Sequence, residues 1–222
     1  MRADETLQLL GSEQAKSLMV KLYGEKQAEE NTERYRQMVM KFKETYGDRD
    51  ILMFSSPGRT EISGNHTDHN HGKVLAGSIN LDCVGVAARN DSSVVNLVSE
   101  TFNQKFSIDL KDLEPSERKA GTEDLVRGLL QGFQESGYEI GGFDAYITSN
   151  VISSAGVSSS ASFEMLLCSM INTFFNHGRM DTVAYSHEGK YAENIYWDKA
   201  SGLLDQMACA VGGVITIDFK ED

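Results

Sequence analysis

The stretch SPGRTEISGNHTDHNHGKVL, at residues 56–75, concentrates side chains that can do chemistry. It holds an arginine, a glutamate, an aspartate and three of the chain's five histidines, at positions 66, 69 and 71. One interpretation is a metal cluster, and the other is a polar pocket that grips a small hydroxylated molecule. The histidines have no regular ligand spacing and no nearby cysteine completes a zinc set, so the polar pocket is the favoured interpretation.

The segment TSNVISSAGVSSSASFE, at residues 148–164, is a second candidate because it joins a predicted strand to the most regular predicted helix. Small side chains let a backbone approach a ligand closely, and the unpaired N–H groups that begin a helix favour anions. Serine hydroxyls at that point can contact phosphate oxygens or bind Mg²⁺. An ordinary cluster of helix-capping serines is the alternative. The segment lacks the G-K-[ST] of a Walker P-loop, so any phosphate is held by a different scheme.

Three acidic residues, Glu193, Asp198 and Asp205, lie in the segment YAENIYWDKASGLLDQMACAVGG. Asp205 follows Leu203 and Leu204, so we expect it to be partly buried. Buried carboxylates are rarely left unpaired, and a structural ion pair is one explanation. The other is catalysis, because a carboxylate beside an arginine can orient or deprotonate a hydroxyl.

The composition of the 222-residue chain is that of a globular protein, with 40% apolar and 24% charged residues. Its net charge of −12 argues against non-specific binding to nucleic acid, which needs clustered Lys and Arg. The three cysteines are scattered, which predicts buried, reduced thiols in a cytosolic protein. The sequence shows no signal peptide and no apolar run long enough to cross a membrane, so we expect a cytoplasmic protein without membrane partners.

The elements that must position these residues are strands and helices sharing one core. Helical charge and apolar spacing extend to Gly47, and a further helix follows Thr122, which is predicted to cap it. The strongest helix places an apolar stripe from Phe163 to Phe175, and a last helical region precedes a final strand. The predicted strands are 51–56, 74–79, 83–89, 94–100, 105–110, 143–150 and 214–219.

Three separated segments together resemble one family. PGRTEISGNHTDHNHGKVL resembles the galactokinase signature G-R-x-N-L-I-G-E-H-x-D-Y-x-x-G, and SSAGVSSSASFE resembles the phosphate loop G-x-G-L-S-S-S-A-S-x-E. AENIYWDKASGLLDQMACAVGG resembles the family's A-E-H … G-I-M-D-Q segment. The order of the three segments and the intervals between them also agree with those of the family. The resemblance extends over about residues 20 to 220. The second motif is shared across the wider GHMP small-molecule kinases.

The resemblance implies an α+β fold, the GHMP-kinase N-terminal domain, with a ribosomal-protein-like β-α-β arrangement. A mixed sheet with helices packed on one side is expected. Residues 1–47 would form a helical segment packed on the domain, and residues 48–222 would form the sugar- and ATP-binding domain. The family's C-terminal GHMP domain is absent from the sequence, so we expect that domain as a partner and poor activity without it.

The resemblance also implies residue roles for ATP-dependent phosphorylation of galactose at the anomeric hydroxyl. Asp205 would be the catalytic carboxylate facing that hydroxyl, and Arg59 would stabilise charge on the transferring phosphoryl group. Asn65, His66 and Asp68 would bind sugar hydroxyls beside these two.

The same resemblance assigns a nucleotide loop and a metal site. Ser160 and Glu193 would be the Mg²⁺ ligands. The residues around the ATP phosphates would be Ser153, Ser154, Ala155, Gly156, Val157, Ser158, Ser159 and Ser160.

Departures from the motifs leave the substrate open. Asn65 replaces the signature Glu, and His69 replaces the Tyr. Galacturonate kinases of the superfamily also lack the Glu and have an Asp-His pair, as Asp68-His69 does here. An amide at 65 would tolerate a sugar carboxylate that Glu would repel, so a galacturonate or other sugar 1-kinase is an alternative to galactokinase. A non-catalytic galactose sensor is a third possibility.

The segment that resembles the phosphate loop also departs from the family motif. Ser154 and Ala155 stand where the family has glycines. A positive φ at either position would cost about 1 kcal/mol or more and would alter ATP affinity.

Overall fold

One mixed, six-stranded sheet forms the centre of the computed structural model, which describes residues 1–116, 121–153 and 155–220. The strand order is β1-β2-β5-β3-β4, and β6 pairs with the first part of β2. β3 and β5 run parallel, and the other neighbours are antiparallel. The strands are β1 (Leu52–Ser63), β2 (Lys73–Arg89), β3 (Val94–Ser99), β4 (Gln104–Asp109), β5 (Phe143–Ser149) and β6 (Val214–Asp218).

Two strands are longer than the sequence predicted. β1 continues through Pro57 and Gly58, where we expected a break, and a register shift lies between Pro57 and Arg59. Proline is tolerated there because β1 is an edge strand and the irregularity relieves the ladder. The predicted strands 74–79 and 83–89 are one continuous strand of 17 residues, β2. Pairing with β1 on one side, and with β6 and β5 on the other, holds it extended.

Seven α-helices lie within the described residues. The predicted cap at Thr122 is wrong, since the helix begins at Thr122 and its N-cap is Gly121, with no side-chain cap. The predicted stripe from Phe163 to Phe175 is confirmed as one helix. The helices are α1 (Ala3–Leu9), α2 (Glu13–Tyr23), α3 (Ala28–Tyr46), α4 (Thr122–Glu135), α5 (Ser159–Phe175), α6 (Thr182–Ile195) and α7 (Leu204–Val211).

Both faces of the sheet are buried, as the alternation of side chains along β2 shows. Cys83 and Ala87 join the core formed with α4 and α5, whereas Val84, Val86 and Ala88 join a core formed with the N-terminal helices. The α+β class with a mixed sheet is confirmed. We expected helices on one side of the sheet, and α1–α3 cover its second face as well.

A third, smaller core lies where the candidate site residues converge. α7 packs on the first half of β2 and on β6, and Phe219 is buried with it. The three cysteines are unpaired and buried, as predicted. None of the helices in the described ranges is both long and apolar enough to cross a membrane.

Candidate active site

Arg59 and Asp205 form the centre of the candidate site, although 146 positions separate them in the chain. Arg59 projects from β1 and donates from Nε and Nη2 to Asp205 Oδ1, at 2.9 and 2.6 Å. The Arg59 side chain is only 6% exposed, whereas that of Asp205, in the first turn of α7, is 31% exposed. A buried guanidinium therefore holds a carboxylate that still reaches solvent.

The second oxygen of Asp205 already accepts a hydrogen bond from an alcohol. Ser158 Oγ donates to Asp205 Oδ2 at 2.6 Å. Ser158 is the N-cap of α5 in a left-handed conformation, and its side chain makes no capping bond. The alternative that these serines are ordinary helix caps is therefore wrong for Ser158. The first N–H groups of the 17-residue α5 have no side-chain cap, which is the arrangement that attracts an anion.

The predicted phosphate loop lies directly against β1. Arg59 Nη1 donates to the Gly156 carbonyl at 2.6 Å, and the Arg59 backbone N–H donates to the Val157 carbonyl at 3.2 Å. A Cβ on Gly58 would lie 2.7 Å from the Val157 carbonyl oxygen, so this approach requires glycine. The loop's positive φ angles fall at Gly156 and Ser158 and not at Ala155, so alanine is not strained there.

The remaining loop positions complete the sequence-predicted nucleotide segment. Ser153 and Ala155 are exposed, and Ser159 is the first residue of α5. Ser154, also predicted to contact the phosphates, lies outside the described residues.

The predicted metal ligands Ser160 and Glu193 are in contact. Ser160 Oγ donates to Glu193 Oε1 at 3.1 Å, and Glu193 on α6 is 1% exposed. A hydroxyl and a carboxylate are hard oxygen ligands of the kind Mg²⁺ accepts alongside substrate phosphates, so this pair fits that ion. Lys199 Nζ lies 2.5 Å from the same Glu193 oxygen, so its ammonium group already neutralises the carboxylate.

A second acid, Glu164, lies beside this pair in the interior of α5. Gln206 Nε2 donates to Glu164 Oε2 at 3.0 Å and to Glu193 Oε2 at 3.2 Å. Complete burial and the nearby Glu193 carboxylate raise the pKa of Glu164 well above its ordinary value. The surroundings of Glu164 therefore favour its protonated form, and the Lys199 ammonium group contacts Glu193.

The histidine-rich segment forms a tight turn beside this centre. Asn65 and His66 both adopt positive φ, and Asp68 sits in a single 3₁₀ turn, Thr67–Asn70. Asp68 Oδ2 accepts from the Leu204 backbone N–H at 3.4 Å, which ties the turn to the start of α7 and hence to Asp205. Asn65 and His66 are exposed.

The metal-cluster interpretation of these histidines finds no support in the described residues. No group of three or more His, Cys, Asp or Glu side chains among them is arranged to hold a metal. His71 Nδ1 instead lies 3.2 Å from the Phe219 carbonyl, a contact that anchors the turn to the chain after β6.

Four site residues received no role from the sequence. Glu164 follows Ser160 by four positions on α5, so helical spacing alone could have placed both on one face. Gln206 adjoins Asp205, but nothing in the pattern indicated that it would bridge two acids. Lys199 lies in the loop between α6 and α7, and Glu61 on β1 contacts His66 in a turn, and the sequence does not specify the geometry of either segment.

Two family models match the chain. Residues 40–89 match the galactokinase galactose-binding signature, and residues 124–213 match the GHMP kinases N terminal domain. The mevalonate kinase of Methanococcus jannaschii shares the fold, with a TM-score of 0.65 at 16% identity over 78% of this chain and 55% of that chain. The chain belongs to the GHMP kinases.

Within that class its relatives are galactokinases. The galactokinase of Clostridium tetani is 34% identical over 182 residues, and that of Lactococcus lactis strain IL1403 is 35% identical over 191 residues. The structure of Lactococcus lactis galactokinase complexed with galactose superposes with a TM-score of 0.76 at 31% identity, covering 82% of this chain and 48% of that chain. The two curated matches cover 82% and 83% of this chain and only 46% and 47% of the relatives. The chain therefore groups with the galactokinases and spans about half their length.

Proposed function

We propose that this chain is the catalytic half of an ATP-dependent galactokinase, which converts galactose and ATP to galactose 1-phosphate and ADP. The observation that carries the proposal is the Arg59–Asp205 pair beneath the uncapped start of α5. Phosphoryl transfer asks a protein chiefly to align its reactants and to neutralise charge. A cation, a carboxylate and open helix N–H groups in one place meet that demand.

In the proposed reaction the anomeric hydroxyl oxygen bonds to the γ-phosphorus while the bond from that phosphorus to the β–γ bridging oxygen breaks. Asp205 Oδ2 orients the attacking hydroxyl and accepts its proton. The Ser158 hydroxyl, 2.6 Å away, now occupies the position of such an alcohol donor. Arg59 holds the carboxylate in place and offsets the negative charge of the phosphoryl group.

The nucleotide would lie along residues 153–160, with its phosphates at the start of α5. Mg²⁺ held by Ser160 and Glu193 would neutralise the phosphate oxygens. Asn65, His66 and Asp68 would face the sugar hydroxyls. A second domain, matching the half of the relatives that this chain does not span, would complete the cleft.

The test replaces Asp205 with Asn in the full gene product that carries this sequence. We expect kcat to fall 100-fold or more, as for loss of a general base, while the galactose Kd changes no more than about threefold. ADP release and calorimetry measure the two quantities. Asp198→Asn is the matched control, because Asp198 is exposed in the same segment and its positive φ suits Asn.

Two results would contradict the proposal. Unchanged turnover in Asp205→Asn would remove Asp205 from the reaction. Binding of ATP and galactose without any ADP release in the unmodified protein would identify a sugar sensor in place of a kinase.

A further inference from the structure

A carboxylate beside the turn at residues 64–71 has no role in either the motifs or the proposed reaction. Glu61 lies in β1, and its side chain is 14% exposed. The pairing of residues 59, 60 and 61 with Ser78, Gly77 and Ala76 is unbroken. Because strand side chains alternate, Glu61 projects from the same face of β1 as Arg59. That face carries the Arg59–Asp205 pair.

Both oxygens of Glu61 are directed at the turn. Oε1 accepts from the His66 backbone N–H at 2.9 Å, and Oε2 lies 3.3 Å from His66 Nε2. The first contact places the carboxylate against the peptide that joins Asn65 to His66. The second places the imidazole ring of His66 against the other oxygen of the same carboxylate.

We propose that Glu61 is a specificity-determining residue that makes the sugar subsite select a neutral sugar over a uronic acid. This inference rests on the proposed function and names its substrate class. An amide at Asn65 alone would admit a sugar carboxylate, but Glu61 restores the negative charge beside it. Against the signature quoted above, Glu stands at 61 in place of Asn, and Asn stands at 65 in place of Glu, so Glu61 supplies a carboxylate next to the turn in addition to Asp68.

The surrounding charges agree with this assignment. Arg59 is the cation on the same face, and Asp205 already pairs with it. The basic side chains of His71, His187 and Lys190 line a pocket of about 330 Å³ that Asp68 also lines. That pocket does not include Glu61, Asn65 or His66. The subsite therefore offers acceptors to hydroxyl groups and a negative charge to a carboxylate.

The test compares galactose with galacturonate in the full gene product and in Glu61→Gln. Glutamine keeps an oxygen to accept from the His66 N–H and removes only the charge. In Glu61→Gln we expect the preference for galactose over galacturonate to fall by about tenfold or more. The preference is measured as the ratio of the two Kd values from calorimetry and as the ratio of the two kcat/KM values. Glu30→Gln, an exposed site on α3, is the control and should leave the ratio unchanged. Glu61→Asn is a second variant, expected to act in the same direction.

The outcomes separate this inference from the proposed function. If Glu61→Gln has an unchanged Tm and an unchanged galactose-to-galacturonate preference, Glu61 does not determine specificity. Continued turnover of galactose in that variant would leave the proposed kinase function standing. A preference of the unmodified protein for galacturonate overturns the inference and the choice of galactose as substrate, and leaves the sugar-kinase reaction standing. If neither sugar is phosphorylated, the proposed function fails, and the calorimetric ratio still decides whether Glu61 excludes the carboxylate.

Discussion

At the scale of single residues, the site is defined by which side chain contacts each of its acids. Asp205 is held by Arg59 and Ser158, Glu61 by His66, and Glu193 by Lys199. These carboxylates differ in how far they are exposed to solvent. Asp205 remains 31% exposed and open to a substrate, whereas Glu193 is buried and its outward oxygen is already occupied by an ammonium group.

Lys199 should therefore compete with a divalent cation for Glu193. In Lys199→Gln we expect Mn²⁺, used as a spectroscopic probe for Mg²⁺, to bind a few-fold to about tenfold more tightly without nucleotide, because a like charge is removed from the same oxygen. Electron paramagnetic resonance of free Mn²⁺ measures this directly. Lys41→Gln, on the exposed surface of α3, is the control. Equal or weaker Mn²⁺ binding in Lys199→Gln would show that the ammonium group does not occupy the metal position.

At the scale of elements, the site depends on how closely the loop at residues 150–158 approaches β1. Gly58 permits the contact, with Val157 and Val151 nearest to the position a Cβ would take. This contact keeps the N-terminus of α5 and Arg59 together at the proposed phosphate site, because a strand and the start of a helix are otherwise independent.

Gly58→Ala should weaken both nucleotide binding and the fold. The added Cβ would lie 2.7 Å from a backbone oxygen, so the loop must move. We expect the Kd for an ATP analogue to rise about tenfold, and the free energy of unfolding to fall by about 1–3 kcal/mol, as for other overpacked sites. Calorimetry and urea denaturation measure these effects.

Gly77→Ala is the matched control, since a Cβ there meets nothing closer than 3.6 Å. It lies in β2, beside the same strand. If both alanine variants bind the analogue equally well, the close approach at Gly58 is not required for nucleotide binding.

At the scale of the whole molecule, one buried acid joins the N-terminal helices to the sheet. Asp82 on β2 is 4% exposed and accepts from Tyr23 Oη at 2.6 Å, Ser55 Oγ at 2.5 Å and Arg34 Nη2 at 2.7 Å. These donors come from α2, β1 and α3. Burial and the adjacent Asp82 raise the pKa of Tyr23, so that hydroxyl remains a donor.

Asp82→Asn should destabilise the molecule by about 3 kcal/mol, because it leaves the Arg34 charge uncompensated in a site where that side chain is only 14% exposed. The double variant Asp82→Asn with Arg34→Met should recover part of the loss, since the unpaired charge is gone. Urea denaturation gives the free energies. Asp4→Asn, which breaks an exposed pair with Lys43, is the control and should change little. A double variant no more stable than Asp82→Asn would refute the uncompensated charge as the cause.

The amino-acid sequence by itself determined the class of fold and the identity of most candidate site residues. The α5 stripe and the strand patterns are local periodicities, and the three motifs carry their residue types with them. Sequence also predicted Arg59, Asp205, Ser160 and Glu193 as site residues, and the structure brings each pair into contact. Local sequence is sufficient to predict these site residues because a strand end, a helix start and a turn are each encoded within a few residues.

Only the tertiary structure decided which charges meet. The burial of both sheet faces, the continuity of β2 and the contacts of Lys199, Glu164 and Glu61 depend on residues far apart in the chain or on turn geometry. Interaction energies of charges vary with distance and burial, and a sequence gives neither. Asn65 indicated that the sugar turn lacks the signature glutamate, and the contact of Glu61 with the His66 backbone shows that another carboxylate lies against that turn.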